Sequence, residues 1–291
     1  MEPNPHNPPL IVILGPTAAG KSSLAMRLAE RFGGEIIAAD SRTIYRGMDI
    51  GTAKPTEKDR RLIPHHLIDI ADPDEHFTVA DFQAAARVAI QDISSRGKLA
   101  FLVGGSGLYI DALIYNFGLR KPGRPGERSE LLRLSVSELQ GRLISRAIPL
   151  PRDKDNPRHL IRSLETEGES PSKDSLRPNT MLLGLTREKG RLEFNIKKRV
   201  DKMVEDGLLS EAKRLSRTYG WDMPALQTPE YRAFHLYLDA AITLDEAKSL
   251  CARYELQYAK RQMTWFKRNR DILWISNSAE AVELITTFLN K

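Results

Sequence analysis

LIVILGPTAAGKSSLAMRLAER, Leu10 to Arg31, is the stretch that decides the fold. Its first five residues are a continuous apolar run, the pattern of a strand buried on both faces. A helical stretch from Lys21 to Arg31 closes it. Between them lies GPTAAGKS, Gly15 to Ser22, which matches G-x-x-x-x-G-K-[ST] in the strand–loop–helix context that the motif needs. Gly15 and Gly20 let the backbone curl so that successive N–H groups face an anion, and the helix adds its positive N-terminus. Pro16, Thr17, Ala18 and Ala19 complete the cradle. Lys21 reaches the outer phosphate, and the Ser22 hydroxyl is a candidate Mg²⁺ ligand. The stretch predicts a phosphate loop in an α/β fold.

Outward from it, strands are expected at Glu35–Ala39, His66–Ile70, Leu99–Val103, Met181–Thr186 and Ile272–Ile275. A helix is expected over Thr78–Ser95, with Val79, Phe82, Ala86, Val88, Ala89 and Ile93 on or near one face. Further helices are expected over Glu188–Asp206, Leu208–Arg217, Leu244–Arg268 and Ala279–Leu289. Strands alternating with helices predict a parallel sheet flanked by helices. Between 120 and 180 the composition shifts: seven of the 17 prolines lie here, with a basic Gly/Pro segment, KPGRPGER, at the start (Lys121–Arg128). Short helices near Ser129–Ile144 and Pro157–Thr166 make this a small helical insertion domain, 120–180, in a core of 1–119 and 181–291.

The composition bounds the function. One cysteine in 291 residues excludes a disulfide framework and a cysteine-based zinc site. The first ten residues lack the basic start of a secretory signal, and no apolar run approaches the roughly 20 residues of a membrane span. A soluble cytoplasmic protein without membrane partners is expected. Residues 1–120 carry 13 Lys+Arg against 14 Asp+Glu, and residues 121–291 carry 31 against 24. A neutral first half and a basic second half fit a small-molecule site joined to a polyanion-binding surface, or a solvated Lys/Arg-rich helical face.

A phosphate loop alone does not name a reaction. Hydrolysing NTPases place an acid at the end of a later apolar strand, but here LAFLV runs into Gly104-Gly105-Ser106-Gly107. The acid instead ends the second strand, at Asp40. A base toward an incoming nucleophile and a helix-capping aspartate both fit that position.

With GPTAAGKS, the segments DSRTIYRGMDIGTAKP (Asp40–Pro55), PHHLIDI (Pro64–Ile70), GGSGLY (Gly104–Tyr109) and YAKRQMTWF (Tyr258–Phe266) stand in the order seen in tRNA dimethylallyltransferases. The chain resembles that family, in its bacterial form, from Leu10 to about Arg270. The resemblance implies transfer of a dimethylallyl group from its diphosphate to the exocyclic amine of the adenosine 3′ of the anticodon, in tRNAs reading codons that begin with U. It implies that Gly15 to Ser22 hold the diphosphate, with Mg²⁺ as cofactor and Lys21 neutralising the leaving group. Asp40 would be the base, and Arg199 would lie near the diphosphate. Asp40, Ser41, Arg42, Thr43 and Ser106 would line the tRNA side. Tyr258, Lys260, Arg261, Gln262 and Lys267, with Trp265, Arg268 and Arg270, would grip the anticodon arm. Tyr258 and Trp265, seven residues apart, also fit a helix core.

The insertion would clasp the anticodon stem through Arg158, His159 and Arg162. There the family's R-x-x-R-A-L-E reads His159-Leu160-Ile161-Arg162-Ser163-Leu164-Glu165. Other departures are Thr43 for a frequent glutamine, Glu230 for a glycine, and Glu255-Leu256 for a Thr-Arg pair. These are expected to cluster on the tRNA side. A monomer is expected. An adenine-nucleotide prenyltransferase, an RNA-binding relative without catalysis, and a small-molecule kinase are the alternatives. The basic second half, the intact Lys21, Asp40 and Arg199, and DIGTAKP speak against each in turn.

Overall fold

A computed structural model describes residues 7–119, 126–169 and 172–290. Positions 121–125 of the basic segment, the first six residues and Lys291 lie outside the described residues. Two compact units result, Met1–Ile114 with Leu176–Lys291, and Tyr115–Ser175.

The first unit is built on β1 (Leu10–Leu14), β2 (Glu35–Ala39), β3 (His65–His66), β4 (Ala100–Gly104), β5 (Thr180–Leu185) and β6 (Ile272–Ile275). All pairings are parallel, in the order β3-β2-β4-β1-β5-β6. β1 sits between β4 and β5, and every one of its side chains is at most 1% exposed, as a doubly covered strand requires. Its helices are α1 (Lys21–Phe32), α2 (Glu57–Leu62), α3 (Val79–Ser95) and α4 (Gly107–Ile114). In the second unit lie α5 (Glu127–Leu131), α6 (Val136–Ser145) and α7 (Pro157–Glu165). Back in the first unit come α8 (Lys189–Glu205), α9 (Leu208–Tyr219), α10 (Pro229–Leu238), α11 (Leu244–Phe266) and α12 (Ser278–Leu289).

One core lies between the sheet and two helices. Leu24, Ala25, Leu28 and Ala29 of α1, with Ala281 and Ile285 of α12, cover Ile11, Ile13, Phe101, Val103 and Leu183. A second core gathers Val200, Met203, Leu208, Tyr231, Phe234, Ala247 and Cys251 from α8 to α11. Ile44 and Met48 of the loop after β2 join it, so that loop is anchored to the late helices. The second unit has its own core of Leu131, Leu139, Leu143, Ile148, Leu160, Ile161 and Leu164.

Capping sets several helix starts. Thr56, Thr78, Ser135 and Thr243 each accept from the backbone N–H three residues on, and the acid there accepts from the cap's own N–H. Ser135 thereby splits the single helix expected over Ser129–Ile144 into α5 and α6. The expected strand His66–Ile70 shrinks to His65–His66, because Leu67 (φ 62°) and Asp69 (φ 57°) turn the chain away. Val88 is 70% exposed; the buried face of α3 is Phe82, Gln83, Ala86, Ala89, Ile90 and Ile93. The second unit begins and ends about five residues before the expected 120–180. Tyr115 N-terminally and Asp174 C-terminally close it, the Asp174 N–H donating to the Tyr115 carbonyl.

Candidate active site

The C-terminal ends of β1, β2 and β4 open on one cleft of about 1110 Å³ in the first unit, the edge where doubly wound sheets take their ligands. The loop after β1 is held tightly. Gly15 has φ 146°, and a Cβ there would fall 2.3 Å from the Leu185 carbonyl oxygen. The helix α1 begins at Gly20 with no side-chain cap, leaving its first turn open to the cleft. That is the arrangement in which backbone donors and the helix dipole favour an anion. Gly20, Lys21 and Ser22 line the cleft with Thr17 and Ala18.

Lys21 donates to the Pro16 carbonyl at 2.7 Å. Burial pushes its pKa down to about 8; Asp40 and Glu255 pull it up and Arg199 adds to the fall. An incoming anion would reverse that deficit.

Thr17 is the hub of the loop. Its N–H donates to Gln262 Oε1 at 2.8 Å, and its hydroxyl donates to Glu255 Oε2 at 2.9 Å. The same hydroxyl accepts from Arg199 Nη1 at 2.8 Å. Gln262, from α11, also donates from Nε2 to the Gly105 carbonyl at 3.0 Å. A Cβ at Gly105 would lie 2.2 Å from that nitrogen, so only glycine lets the amide bridge the two loops.

Asp40 follows β2 directly and lines the cleft. Its Oδ1 accepts from the Arg42 N–H at 2.8 Å, an Asx turn rather than a helix cap. The Ser41 N–H donates to Ser106 Oγ at 3.0 Å, and the Ser106 N–H to the Ala39 carbonyl, tying the ends of β2 and β4 together. Tyr258 stands in the same cleft beside Ser106; burial first, then Asp40 and Glu255, raise its pKa. Thr43 is buried, with a hydroxyl that has no partner among the described residues.

Thus Thr17 and Lys21 of the loop after β1, Asp40 after β2 and Arg199 of α8, from three separate parts of the chain, meet in one cleft. A match to the family model described as IPP transferase covers residues 43–269. The chain belongs to the IPP transferase family. Among relatives, the tRNA dimethylallyltransferase of Anoxybacillus flavithermus is 40% identical, over 94% of this chain and 92% of that protein. The one from Roseiflexus sp. is 43% identical, over 94% and 95%. The crystal structure of the full-length tRNA isopentenylpyrophosphate transferase of Bacillus halodurans has TM-score 0.74 and 39% identity, covering 97% of this chain and 95% of that one. A eukaryotic dimethylallyltransferase acting on tRNA has TM-score 0.71 at 28% identity, covering 91% and 73%.

This IPP transferase departs from two of the expectations for its site. Gln262 is buried with both ends of its amide engaged, so it holds the phosphate loop instead of facing outward. Glu230 and Glu255 do not lie on an RNA-facing surface. Both are buried, and each approaches Arg199 Nη2 at 3.7 Å, beside Thr17.

The remaining positions are exposed. Lys260, Arg261 and Lys267 project from the end of α11, Arg261 over the Tyr258 ring. Trp265 is 37% exposed and donates from Nε1 to Asp111 on α4 at 2.9 Å, so it is not core. In the second unit Arg158, His159 and Arg162 lie on α7; Arg162 pairs with Glu165 at 3.4 Å and His159 approaches Asp153 at 3.7 Å.

Sequence reading misses a brace behind the site. Glu211 accepts from the N–H groups of Asp49, Ile50 and Gly51 and from the Tyr231 hydroxyl, all at 2.7–2.8 Å. Lys54 of DIGTAKP is buried against Asp49, Asp69 and the Tyr45 carbonyl. Burial opposes the charge on Asp69, yet Lys54 and Arg60 hold its carboxyl below the usual range. The motif's signal is its unusual composition; its reason is this knot.

Proposed function

We propose that this chain transfers the dimethylallyl group of dimethylallyl diphosphate to the exocyclic amine of the adenosine immediately 3′ of the anticodon, in tRNAs that read codons beginning with U. The observation that carries the reading is the convergence of Lys21, Arg199, Asp40 and the open first turn of α1 on one cleft. The cations and the helix start suit a diphosphate, and the carboxylate suits a proton-bearing nucleophile.

In this reading the bond between the allylic carbon and the diphosphate oxygen breaks as the amine nitrogen bonds to that carbon. The amine is weakly nucleophilic, since its lone pair is delocalised into the ring. Positioning and stabilisation of the departing diphosphate must therefore supply the rate. Lys21 and the loop amides take up the leaving group's charge, and Asp40 accepts the proton from nitrogen. The Asx turn to Arg42 fixes that carboxylate while leaving its second oxygen for the amine.

The donor set fits Mg²⁺. Among the described residues no cluster of three His, Cys, Asp or Glu side chains could hold a metal. A magnesium ion here would rest on Ser22, the diphosphate and water, the mixed shell that ion favours. When bound it would neutralise part of the leaving group's charge.

The acceptor is a tRNA anticodon arm, its base leaving the stack to reach the cleft. Tyr258 offers a stacking face, and Lys260, Arg261 and Lys267 offer phosphate contacts. Arg158 and Arg162 of the second unit would contact the anticodon stem. Among the described residues no helix is long and apolar enough to cross a membrane, and a cytoplasmic monomer is the working form proposed. The test is mass spectrometry of nucleosides from tRNA incubated with the protein, Mg²⁺ and dimethylallyl diphosphate. An isopentenylated adenosine next to the anticodon supports the reading; transfer to free adenine nucleotides alone, or fast ATP hydrolysis without transfer, overturns it.

A further inference from the structure

Two carboxyls share one guanidinium in the floor of the cleft. Glu230, in the first turn of α10, and Glu255, midway along α11, have side chains 5% exposed. Each lies 3.7 Å from Arg199 Nη2, so the one nitrogen stands between them. Glu255 also accepts the Thr17 hydroxyl, whose oxygen accepts from Arg199 Nη1. Two negative charges against one positive charge, out of water, leave an excess that the site relieves by keeping a proton.

The surroundings do not relieve it otherwise. Facing the pair are Arg199 from α8, Cys251 and Tyr258 from α11, Lys21 at the start of α1 and Asp40 after β2, Tyr258 being kept neutral first by burial. Tyr231 on α10 faces the other way, bound to Glu211 of α9. Burial makes Cys251 a neutral thiol. Asp40 adds negative charge, and Lys21 is itself weakened as a cation.

We propose that Glu230 and Glu255 are positioning residues for Arg199, that Glu230 keeps a proton beside Glu255, and that donor binding requires this proton. The inference rests on the reading that the loop takes a diphosphate. With the proton in place, one carboxylate balances Arg199, and Glu230 lies protonated against Glu255; burial, then Glu255, drive its pKa well up. Arg199 can then turn a nitrogen to the diphosphate without leaving two bare carboxylates behind. Once the proton is gone, both carboxylates claim Arg199, and the diphosphate meets a floor of its own sign. A raised carboxyl pKa means the competent form exists below that pKa and is lost as pH rises through it. Affinity for the donor should then fall by up to about tenfold per pH unit above it.

The experiment measures inorganic diphosphate binding by calorimetry, and KM and kcat for dimethylallyl diphosphate with tRNA, from pH 5.5 to about 9. Wild type, E230Q, E255Q and the conservative E230D are compared. Lys21 and the ligand's own ionisation contribute equally to all four, so the comparison isolates the pair. E230Q should lose the part of the limb that the pair supplies, keeping the part shared by all four, and bind several-fold more tightly than wild type at high pH, with kcat changed less than about threefold. E230D should keep the limb. Wild type should take up to one proton more than E230Q on binding diphosphate, a reading that needs only one folded variant; E255Q supplies a second. Prenyl transfer with parallel KM–pH curves in wild type, E230Q and E255Q overturns the pair and spares the function. Diphosphate binding with the predicted proton uptake but no transfer to tRNA upholds the pair and overturns the function. Absence of diphosphate binding at every pH overturns both.

Discussion

At Asp40 a single atom separates the two roles the residue can play. Asp40→Asn keeps an Oδ1 to accept the Arg42 N–H, so the turn after β2 survives. What it removes is negative charge and basicity. Single-turnover transfer should fall by about 10²-fold or more, as for loss of a general base, while tRNA and diphosphate affinities hold. A near-normal rate would leave the residue a turn former only. Lys21 makes a second case. With its pKa at about 8 in the free site, the charge that meets the leaving group is present below that pH and disappears above it. Lys21→Ala should lower kcat/KM by orders of magnitude at pH 7 and flatten the alkaline fall of kcat, while the fall in donor affinity set by the glutamate pair remains. A steep fall of kcat persisting in the variant would place its origin elsewhere. The acid at 40 and the lysine at 21 are both legible in the sequence, because each follows a strand whose apolar run marks where it ends.

Among the elements, legibility tracks local pattern. The continuous runs of β1, β2 and β6 have the ends that the sequence predicts. α2 is invisible to periodicity since it buries nothing, and only its Thr56–Asp59 capping box announces it. α4 follows Gly104–Gly107 as a run too apolar to show a face. Two of the partners of Thr17 lie 238 and 245 residues away on α11, and nothing local in a sequence encodes such a meeting. Hence the outward cations of α11 can be read from its sequence, while the inward roles of Glu255 and Gln262 cannot. Those cations carry the third prediction. Replacing Lys260, Arg261 and Lys267 with glutamine should weaken tRNA binding and reduce the slope of log affinity against log salt by about one unit for each phosphate no longer neutralised. Diphosphate binding should be unchanged. An unaltered salt slope would move the RNA path off this helix end.

Across the whole molecule, one ion cluster joins the sheet edge to the end of α3. Glu35 opens β2 with its side chain 2% exposed, paired to Arg96 and, at 2.8 Å, to His66. The Arg96 hydrogen bond, opposed by burial and helped by His66, lowers its pKa from 4.5 to about 2. The stabilisation is therefore complete above pH 4.5 and is lost as pH falls through 2. Glu35→Gln should lower the melting temperature by several degrees at pH 7 and flatten its decline between about pH 5 and 2. Parallel melting curves for the two proteins would remove Glu35 from the account of acid unfolding.

The bridge from Gln262 has a consequence in time as well as space. GPTAAGKS leaves the ribosome well before Gln262, the side chain that holds Thr17 and Gly105 in place, which lies 245 residues beyond Thr17. A nascent chain can present the whole loop and much of its sheet and still lack the clamp that shapes it. The loop is therefore clamped only once α11 has been made, and a translation product interrupted before it carries the recognisable motif without the side chain that shapes it.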